Sequence, residues 1–403
     1  MRICAIIAEY NPFHAGHAYH IQKTREISEC DHVVCLMSGD FVQRGEPAIF
    51  DKWHRAQAAV RCGADLVLEL PAIYALRSAE GFACGAVRIL QNLGIDVLSF
   101  GSETDDIHQL KTLSDILINE PSRYKEQLKT YLDQGISYPA SRSMAMQEYL
   151  CNPEVSILMT GSNAILGLEY LNALSRLNSE ITPTVIRRKG DNYNEESLSL
   201  SLSSATAIRK HLLKKGLDES ILANMPEPAF HIFADLLDSD FIPVSSQHFF
   251  KEMLYAVRMM PAEAIANIPD VSEGLENRIK SAAESAKDYD DLVRRIKTKR
   301  YTQTRIQRIL IYILLGITRE TAQYADAHSP ENIKVLAYKK DSAHLLSHFS
   351  KNSQVNLFHS SVGLENDPFV GLDIRAADVY ALAQEVPEFF ACGRDYTQKT
   401  LTD

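Results

Sequence analysis

The sequence predicts an α/β protein with a doubly wound parallel sheet, followed by a helical domain and a small mixed α/β C-terminal part. Short runs of β-branched and aliphatic residues recur at 3–8, 32–37, 66–70 and 97–100. Helix-length segments separate them at 17–28, 52–62 and 78–93, and strands alternating with helices imply parallel pairing through crossovers. The run DLVLELP at 65–71 is apolar almost throughout, as befits a strand covered by helices on both faces.

The later elements follow in order. Residues 106–150 are polar with a helical period and read as an insertion of exposed helices, before a further strand at 184–187. These make a first domain over 1–215. From 216 to 330 the periodicity is helical throughout, and 331–403 returns to mixed character, with strands expected at 334–338 and 355–358 and a helix at 376–384. There is no internal repeat and no low-complexity linker.

The 403 residues, 45% of them hydrophobic, suffice for two or three domains. The opening apolar run meets an acid at Glu9 too soon for a signal peptide. The longest other apolar stretch, 309–317, is far shorter than the roughly 20 residues of a membrane helix. A cytoplasmic protein with no membrane partner is expected. Seven scattered cysteines without a C-x-x-C pair argue against a disulfide framework and a zinc ribbon. With 42 Lys and Arg against 52 Asp and Glu, the net charge of −10 repels a polyanion, so any nucleic-acid contact must be local.

In a doubly wound sheet ligands bind beyond the carboxyl ends of the strands, where the next helix offers free N–H groups to an anion. The stretch Glu9-Tyr-Asn-Pro-Phe-His-Ala-Gly-His17 occupies that place after the first strand. Asn11-Pro12 turns the chain, and Gly16 lets backbone approach a phosphate without an intervening Cβ. His14 and His17 suit donation to phosphate oxygens as charge builds in a displacement at an α-phosphorus. A pair of surface histidines is the plain alternative. A zinc site is the other, but no Cys or acidic partner stands at ligand spacing. A second cluster, Ser201-Leu-Ser-Ser-Ala-Thr-Ala-Ile-Arg-Lys210, leads into another helix. Ser203 and Ser204 suit an N-cap there, and together with Arg209 they also suit a phosphate clamp.

The loop 38–52 follows the second strand and reaches the same sheet edge. Asp40, Gln43, Arg44, Asp51 and Lys52 give it both signs of charge. As a group they read as an acid-activation pocket: Arg44 or Lys52 holding a carboxylate or pyrophosphate, Asp40 orienting an amine or a magnesium-bound water. A solvated loop would look similar. His14, His17, Asp40 and Lys52 are thus the candidate catalytic residues. Gly101, ending the fourth strand, would let a nucleoside lie close, and Asn163 suits a helix cap or an adenine edge. The stretch 294–308 carries Arg294, Arg295, Lys297, Lys299, Arg300, Arg305 and Arg308 and no acid. With Tyr301 as a stacking face it suits RNA, against the alternative of a solvated basic helix.

H-x-G-H after the first strand and S-S-x-T-x-x-R after the last resemble the signature pair of the nucleotidyltransferase superfamily, relatives of the class I aminoacyl-tRNA synthetases. The resemblance implies a Rossmann-like nucleotidyltransferase domain that attacks the α-phosphate of ATP, with His14 and His17 on the phosphates and Ser203, Ser204 and Arg209 as the second clamp. More closely, AEYNPFHAGH (8–17), MSGDFVQRGEPAIFDKWHRA (37–56), ADLVLELP (64–71), LSFGSE (98–103), SNAILGLEY (162–170) and TKRYTQTRIQR (298–308) resemble the tRNA(Met) cytidine acetate ligase family. Two stretches depart from that family's pattern, Ser162-Asn163-Ala164 and the less glycine-rich 189–192.

That resemblance implies ATP contacts at Ile7, Ala8, Glu9, Tyr10, Asn11, Pro12, Phe13, His14, Ala15, Gly16, His17, Ala18, Tyr19, His20, Gly101, Asn163, Arg187 and Arg188. It implies ATP as co-substrate, with Mg2+ on its phosphates, and acetate and elongator tRNA(Met) as partners. Acetyl-CoA and DNA have no part. The product is a wobble cytidine acetylated through an acetyl-adenylate. Two alternatives stay open: a nucleotidyltransferase making a small adenylated coenzyme, which needs no basic stretch, and a non-catalytic RNA-binding protein, which needs no ATP.

Overall fold

The computed structural model describes residues 1–188, 203–298 and 300–403. Ser201, the stretch 189–192 and Lys299 lie outside the described residues.

The strands are β1 (Ile3–Ala8), β2 (His32–Ser38), the short hairpin β3 (Phe41–Val42) and β4 (Glu46–Pro47), β5 (Leu66–Leu70), β6 (Val97–Ser102) and β7 (Thr182–Arg187). Three more follow the helical region: β8 (Asn332–Tyr338), β9 (Asn356–Phe358) and β10 (Leu401–Thr402). The central order is β5-β2-β1-β6-β7, parallel throughout. Helices Ala15–Ser28, Lys52–Arg61 and Ala79–Leu93 connect the first four of these strands. Their winding reverses between β1 and β6, and that switch point is where a doubly wound sheet opens a crevice.

The C-terminal strands, expected as part of a small separate unit, complete this same sheet. β8 pairs antiparallel with β5, and β9 and β10 both pair parallel with β8. Without β8, the edge of β5 would present a row of unpaired backbone groups. The region 216–330 is helical among its described residues, as expected, but its core is continuous with that of the sheet. Phe233 stacks on Phe50 at 4.4 Å, and the Tyr312 hydroxyl donates to the Leu76 carbonyl. No helix among the described residues is long and apolar enough to cross a membrane.

A buried ionic cluster joins the second helical crossover, Lys52–Arg61, to the C-terminal segment. Lys52 Nζ lies 2.8 Å from Glu69 and 2.9 Å from Asp395, and Lys334 pairs with the same Asp395. All four side chains are buried. Burial alone would pull the Lys52 pKa down; Asp395 and Glu69 more than reverse it. Asp40, buried nearby, accepts from the Lys52 backbone N–H at 2.8 Å. The expectation that Asp40 and Lys52 face a substrate is therefore corrected. Their charges are consumed within the core, because chain from some 340 residues further on folds back over the loop that carries them.

Replacing Lys52 by Met leaves Glu69 without its ammonium partner while Lys334 keeps Asp395. Urea denaturation of Lys52→Met should show a loss of about 3–5 kcal/mol in unfolding free energy, the cost of one orphaned buried charge. Adding Glu69→Gln should restore part of it.

Candidate functional site

At the end of β1 the chain turns sharply, with Tyr10 at φ 47° and a cis bond between Asn11 and Pro12. Buried carbonyls at parallel strand ends need donors, and a guanidinium carries five in a fixed fork. Arg55 supplies them: it donates to the carbonyls of Glu9 (2.5 Å), Ser38 (3.2 Å), Phe50 (2.9 Å) and Gly39. Asn11 Oδ1 accepts from the Ile49 N–H at 2.8 Å, and its carbonyl accepts from Arg209 at 2.8 Å.

This turn delivers the two histidines to the start of the helix Ala15–Ser28, two residues earlier than the periodicity suggested. His14 is the N-cap. Its Nδ1 accepts from the Gly16 N–H at 3.1 Å, and His17 Nδ1 accepts from the His14 N–H at 3.3 Å, a reciprocal capping box made of imidazoles. An Nδ1 that accepts a backbone N–H cannot carry a proton, so in the neutral rings the proton sits on Nε2. The helix cap thus fixes the tautomer and leaves each ring one donor. The rings stack at 3.8 Å between centroids.

Both histidines line a cavity of about 550 Å³ between the carboxyl ends of β1 and β6. Among the residues expected at the nucleotide, Ile7, Ala8, Glu9, Tyr10, Gly16, Tyr19, His20, Gly101, Asn163, Arg187, Arg188 and Ser203 share its wall. Asn11, Pro12, Phe13, Ala15, Ala18, Ser204 and Arg209 stand behind it. Ser204 caps the helix Ala205–Lys215, accepting from the Ala207 N–H at 3.1 Å, and Arg209 braces the Asn11 turn. Asp40 and Lys52 are not on the wall, whereas Gln43 and Arg44 of the same loop are.

Sequence reasoning missed two residues that hold the wall in place. Asn224, from the helical region, accepts the Ser203 N–H on its side chain at 2.7 Å and the Ala15 N–H on its carbonyl at 2.9 Å, tying the serine segment to the histidine motif. Glu103 accepts from the Ala164 N–H at 2.7 Å and from Asn163 Nδ2 at 3.1 Å. Asn163 Oδ1 in turn accepts from Arg188 at 3.0 Å. Thus Asn163 positions an arginine as well as facing the cavity.

Burial, reinforced by Arg188 and Arg209, holds the His14 pKa down at about 3. Burial and Arg188 bring His20 to about 4. His17 is likewise lowered by burial and then by His14 and Arg188. All three imidazoles are neutral at physiological pH, and the fixed positive charge of the site belongs to the arginines.

Among its described residues, the basic stretch does not form one solvated face. Tyr301, expected as a stacking surface, is buried and donates its hydroxyl to the Ser272 carbonyl. Arg308 is buried beside Asp270, and Arg305 donates to the Asp270 carbonyl. Arg294 and Arg295 share Asp291, and Arg300 pairs with Glu273. Arg294, Lys297 and Arg300 remain exposed. Nor is the stretch remote from the site: Thr304 lines the cavity, and Gln307 donates to Glu46 beside it at 3.0 Å.

Imidazole and guanidinium donors around one cavity at the switch point of a doubly wound sheet define a nucleotidyltransferase of the H-x-G-H class, and residues 1–392 match the HIGH Nucleotidyl Transferase family. Within it, the chain belongs to the tRNA(Met) cytidine acetate ligase family. It is 42% identical to the tRNA(Met) cytidine acetate ligase of Acetivibrio thermocellus over 100% of both chains. With that of Clostridium novyi it shares 41% over 95% of both. Two crystal structures of Thermotoga maritima TmcAL superpose on it, covering 100% of this chain and 99% of theirs. The apo form gives a TM-score of 0.93 at 31% identity, and the form bound with alpha-thio ATP gives 0.91 at 30%.

The neutral histidines bear on stability. A His whose folded pKa lies below its unfolded value of 6.5 leaves the unfolded chain binding more protons between the two, so its contribution is complete above 6.5 and is lost as pH falls. Unfolding free energy should decline on acidification from pH 6.5 towards about 4. Denaturation midpoints of His14→Gln at the two ends of that range should show a shallower decline than the wild type.

Proposed function

We propose that this chain is an ATP-dependent ligase of the cytoplasm that acetylates the exocyclic amine of the wobble cytidine of elongator tRNA(Met). Acetate attacks the α-phosphorus of ATP and pyrophosphate departs, and the cytidine amine then takes the acetyl group from the adenylate and releases AMP. The observation that carries the reading is the imidazole capping box, which presents two Nε2–H donors beside Arg187 and Arg188 in a single cavity. Its support is the family, whose relatives bear that name, and the TmcAL crystallised with an ATP analogue.

Neutral imidazoles suit the adenylation step. Each donates one hydrogen bond as charge accumulates on the α-phosphate oxygens, and neither can lose its donor proton to the opposite tautomer, because the helix backbone occupies Nδ1. The apolar wall of Phe82, Phe100, Ile165 and Leu166 suits the nucleoside and excludes water from the mixed anhydride. No group of three or more His, Cys, Asp or Glu among the described residues is placed to hold a metal ion. A magnesium ion arriving with ATP would be held by the phosphates and water and would neutralise charge on the departing pyrophosphate. Arg294, Lys297 and Arg300 offer the tRNA backbone exposed positive charge.

Incubation with ATP, acetate and total tRNA should yield acetylcytidine by nucleoside mass spectrometry; acetyl-CoA without acetate should yield none. His14→Ala should reduce acetate-dependent pyrophosphate release by about 100-fold or more, the usual scale for losing a preorganised donor to a developing oxyanion. ATP use independent of both acetate and tRNA would favour a coenzyme nucleotidyltransferase instead.

Each phosphate contact removed flattens the salt dependence of binding by roughly one logarithmic unit. Arg294→Glu, Lys297→Glu and Arg300→Glu together should therefore weaken tRNA binding and reduce its salt slope by about two to three units. Filter binding between 50 and about 200 mM salt would read both effects. Unchanged affinity would move the tRNA to another surface.

A further inference from the structure

Acetyl transfer to an exocyclic amine requires a group to receive a proton, and the described part of the cavity wall bears one carboxylate, Glu9. Its Oε1 accepts from the Gln43 backbone N–H at 2.9 Å. That bond fixes the carboxylate, and among the described residues no donor is bonded to the second oxygen. Glu9 is also well placed along the cavity. Gln43, which bonds it, and Arg44 share the wall with Thr304, whose helix Gln303–Leu315 packs on the same loop at Gly45 and lies in the basic stretch proposed for the tRNA. His14 and His17 cannot do this work, since their open nitrogens already carry the proton.

We propose that Glu9 is the general base of the acetyl-transfer half-reaction, a role that rests on the function proposed above. The cytidine N4 attacks the acetyl carbonyl, forming the C–N bond, and one N4 proton passes to Glu9. The carbonyl re-forms as the bond from the acetyl carbon to the phosphate oxygen breaks, and AMP leaves with that electron pair. Glu9 later returns the proton to water. Nothing is oxidised or reduced.

The surroundings favour a carboxylate that can hold a proton. Burial raises the Glu9 pKa and outweighs the lowering by the Gln43 N–H, Arg44 and Arg209, with Glu46 adding to the rise. Tyr170, also close enough to feel its charge, is buried and protonated. Base efficiency improves as a pKa approaches the working pH from below.

Glu9→Gln is the informative variant, because its amide oxygen can still accept from the Gln43 N–H while the side chain cannot take a proton. Two steps are measured separately in the full-length enzyme: acetate-dependent pyrophosphate–ATP exchange without tRNA, and single-turnover transfer to tRNA from pre-formed adenylate. Transfer should fall at least about 100-fold further than exchange, within the range lost with a general base, and the acid limb of the wild-type transfer rate should vanish. Glu9→Asp should recover part of the transfer rate together with an acid limb. Equal losses in the two steps would make Glu9 a support for the nucleotide and overturn the proposal, as would unimpaired transfer. Absence of acetate-dependent exchange in the wild type would instead remove the adenylate reading itself.

Discussion

Arg55 is the constraint on which the site depends. It is completely buried, and its donors reach four carbonyl oxygens at the ends of β1 and β2 and in the loop after them. Among the described residues no carboxylate bonds to it directly. Burial lowers its pKa, while Asp40, Asp51 and Glu9 offset this at longer range. Charged residues that looked like substrate ligands thus offset part of the cost of burying a structural arginine. Because Arg55 clamps the Glu9 carbonyl, it also fixes where the turn begins, and so which helical positions the two histidines occupy. Losing it would leave several buried acceptors unsatisfied at once, each costing about 1–3 kcal/mol.

The C-terminal segment has a related role. Lys334 on β8 and Asp395 in the last helix, Arg394–Thr397, close the ionic cluster around Lys52, and Arg394 adds a pair with Asp51 at 3.1 Å. Asp51 is itself the cap of the helix Lys52–Arg61. The loop between β2 and that helix is therefore held from inside by residues more than 300 positions away in sequence. Its outer limb, Gln43 and Arg44, remains on the cavity wall. One loop is divided between fold and function, with the inner charges neutralised so that the outer ones can be held still.

The same division explains which parts were legible in the sequence. The β1 turn, the glycine and the histidines could be read because the chemistry is local: a strand, a turn and a helix start within about a dozen residues. Of the nucleotide contacts that the resemblance implies, most of those at 7–20, together with Gly101, Asn163 and Arg188, lie on the cavity wall, while Asn11, Pro12, Phe13, Ala15 and Ala18 do not. Asp40 and Lys52 were misread because local pattern places a charged loop at an open sheet edge and cannot reveal that β8 and Asp395 return to cover it. Tyr301 and Arg308 failed for a similar reason. A run without acids looks solvated until Asp270 and Ser272, some thirty residues earlier, are found against it. Asn224 stands in no motif and Glu103 only closes one, LSFGSE, since a single polar side chain acquires meaning only from the segments it bridges.

The electrostatics of the cavity reconcile an acidic protein with anionic substrates. A net charge of −10 disfavours both ATP and tRNA at long range. Within the site, however, low-dielectric walls strengthen nearby charges, and those charges are guanidinium groups that stay protonated at any physiological pH. The Arg188 charge is set against the histidines by the Glu103–Asn163 relay, which accounts for its part in keeping all three neutral. Arginine thereby supplies pH-independent attraction, and histidine supplies directed N–H groups without adding repulsion between closely stacked rings. Were His14 and His17 both protonated, two cations 3.8 Å apart would oppose each other, and their Nδ1 atoms could no longer accept the helix N–H groups. The cap that builds the helix is therefore the same interaction that holds the site in its anion-binding form.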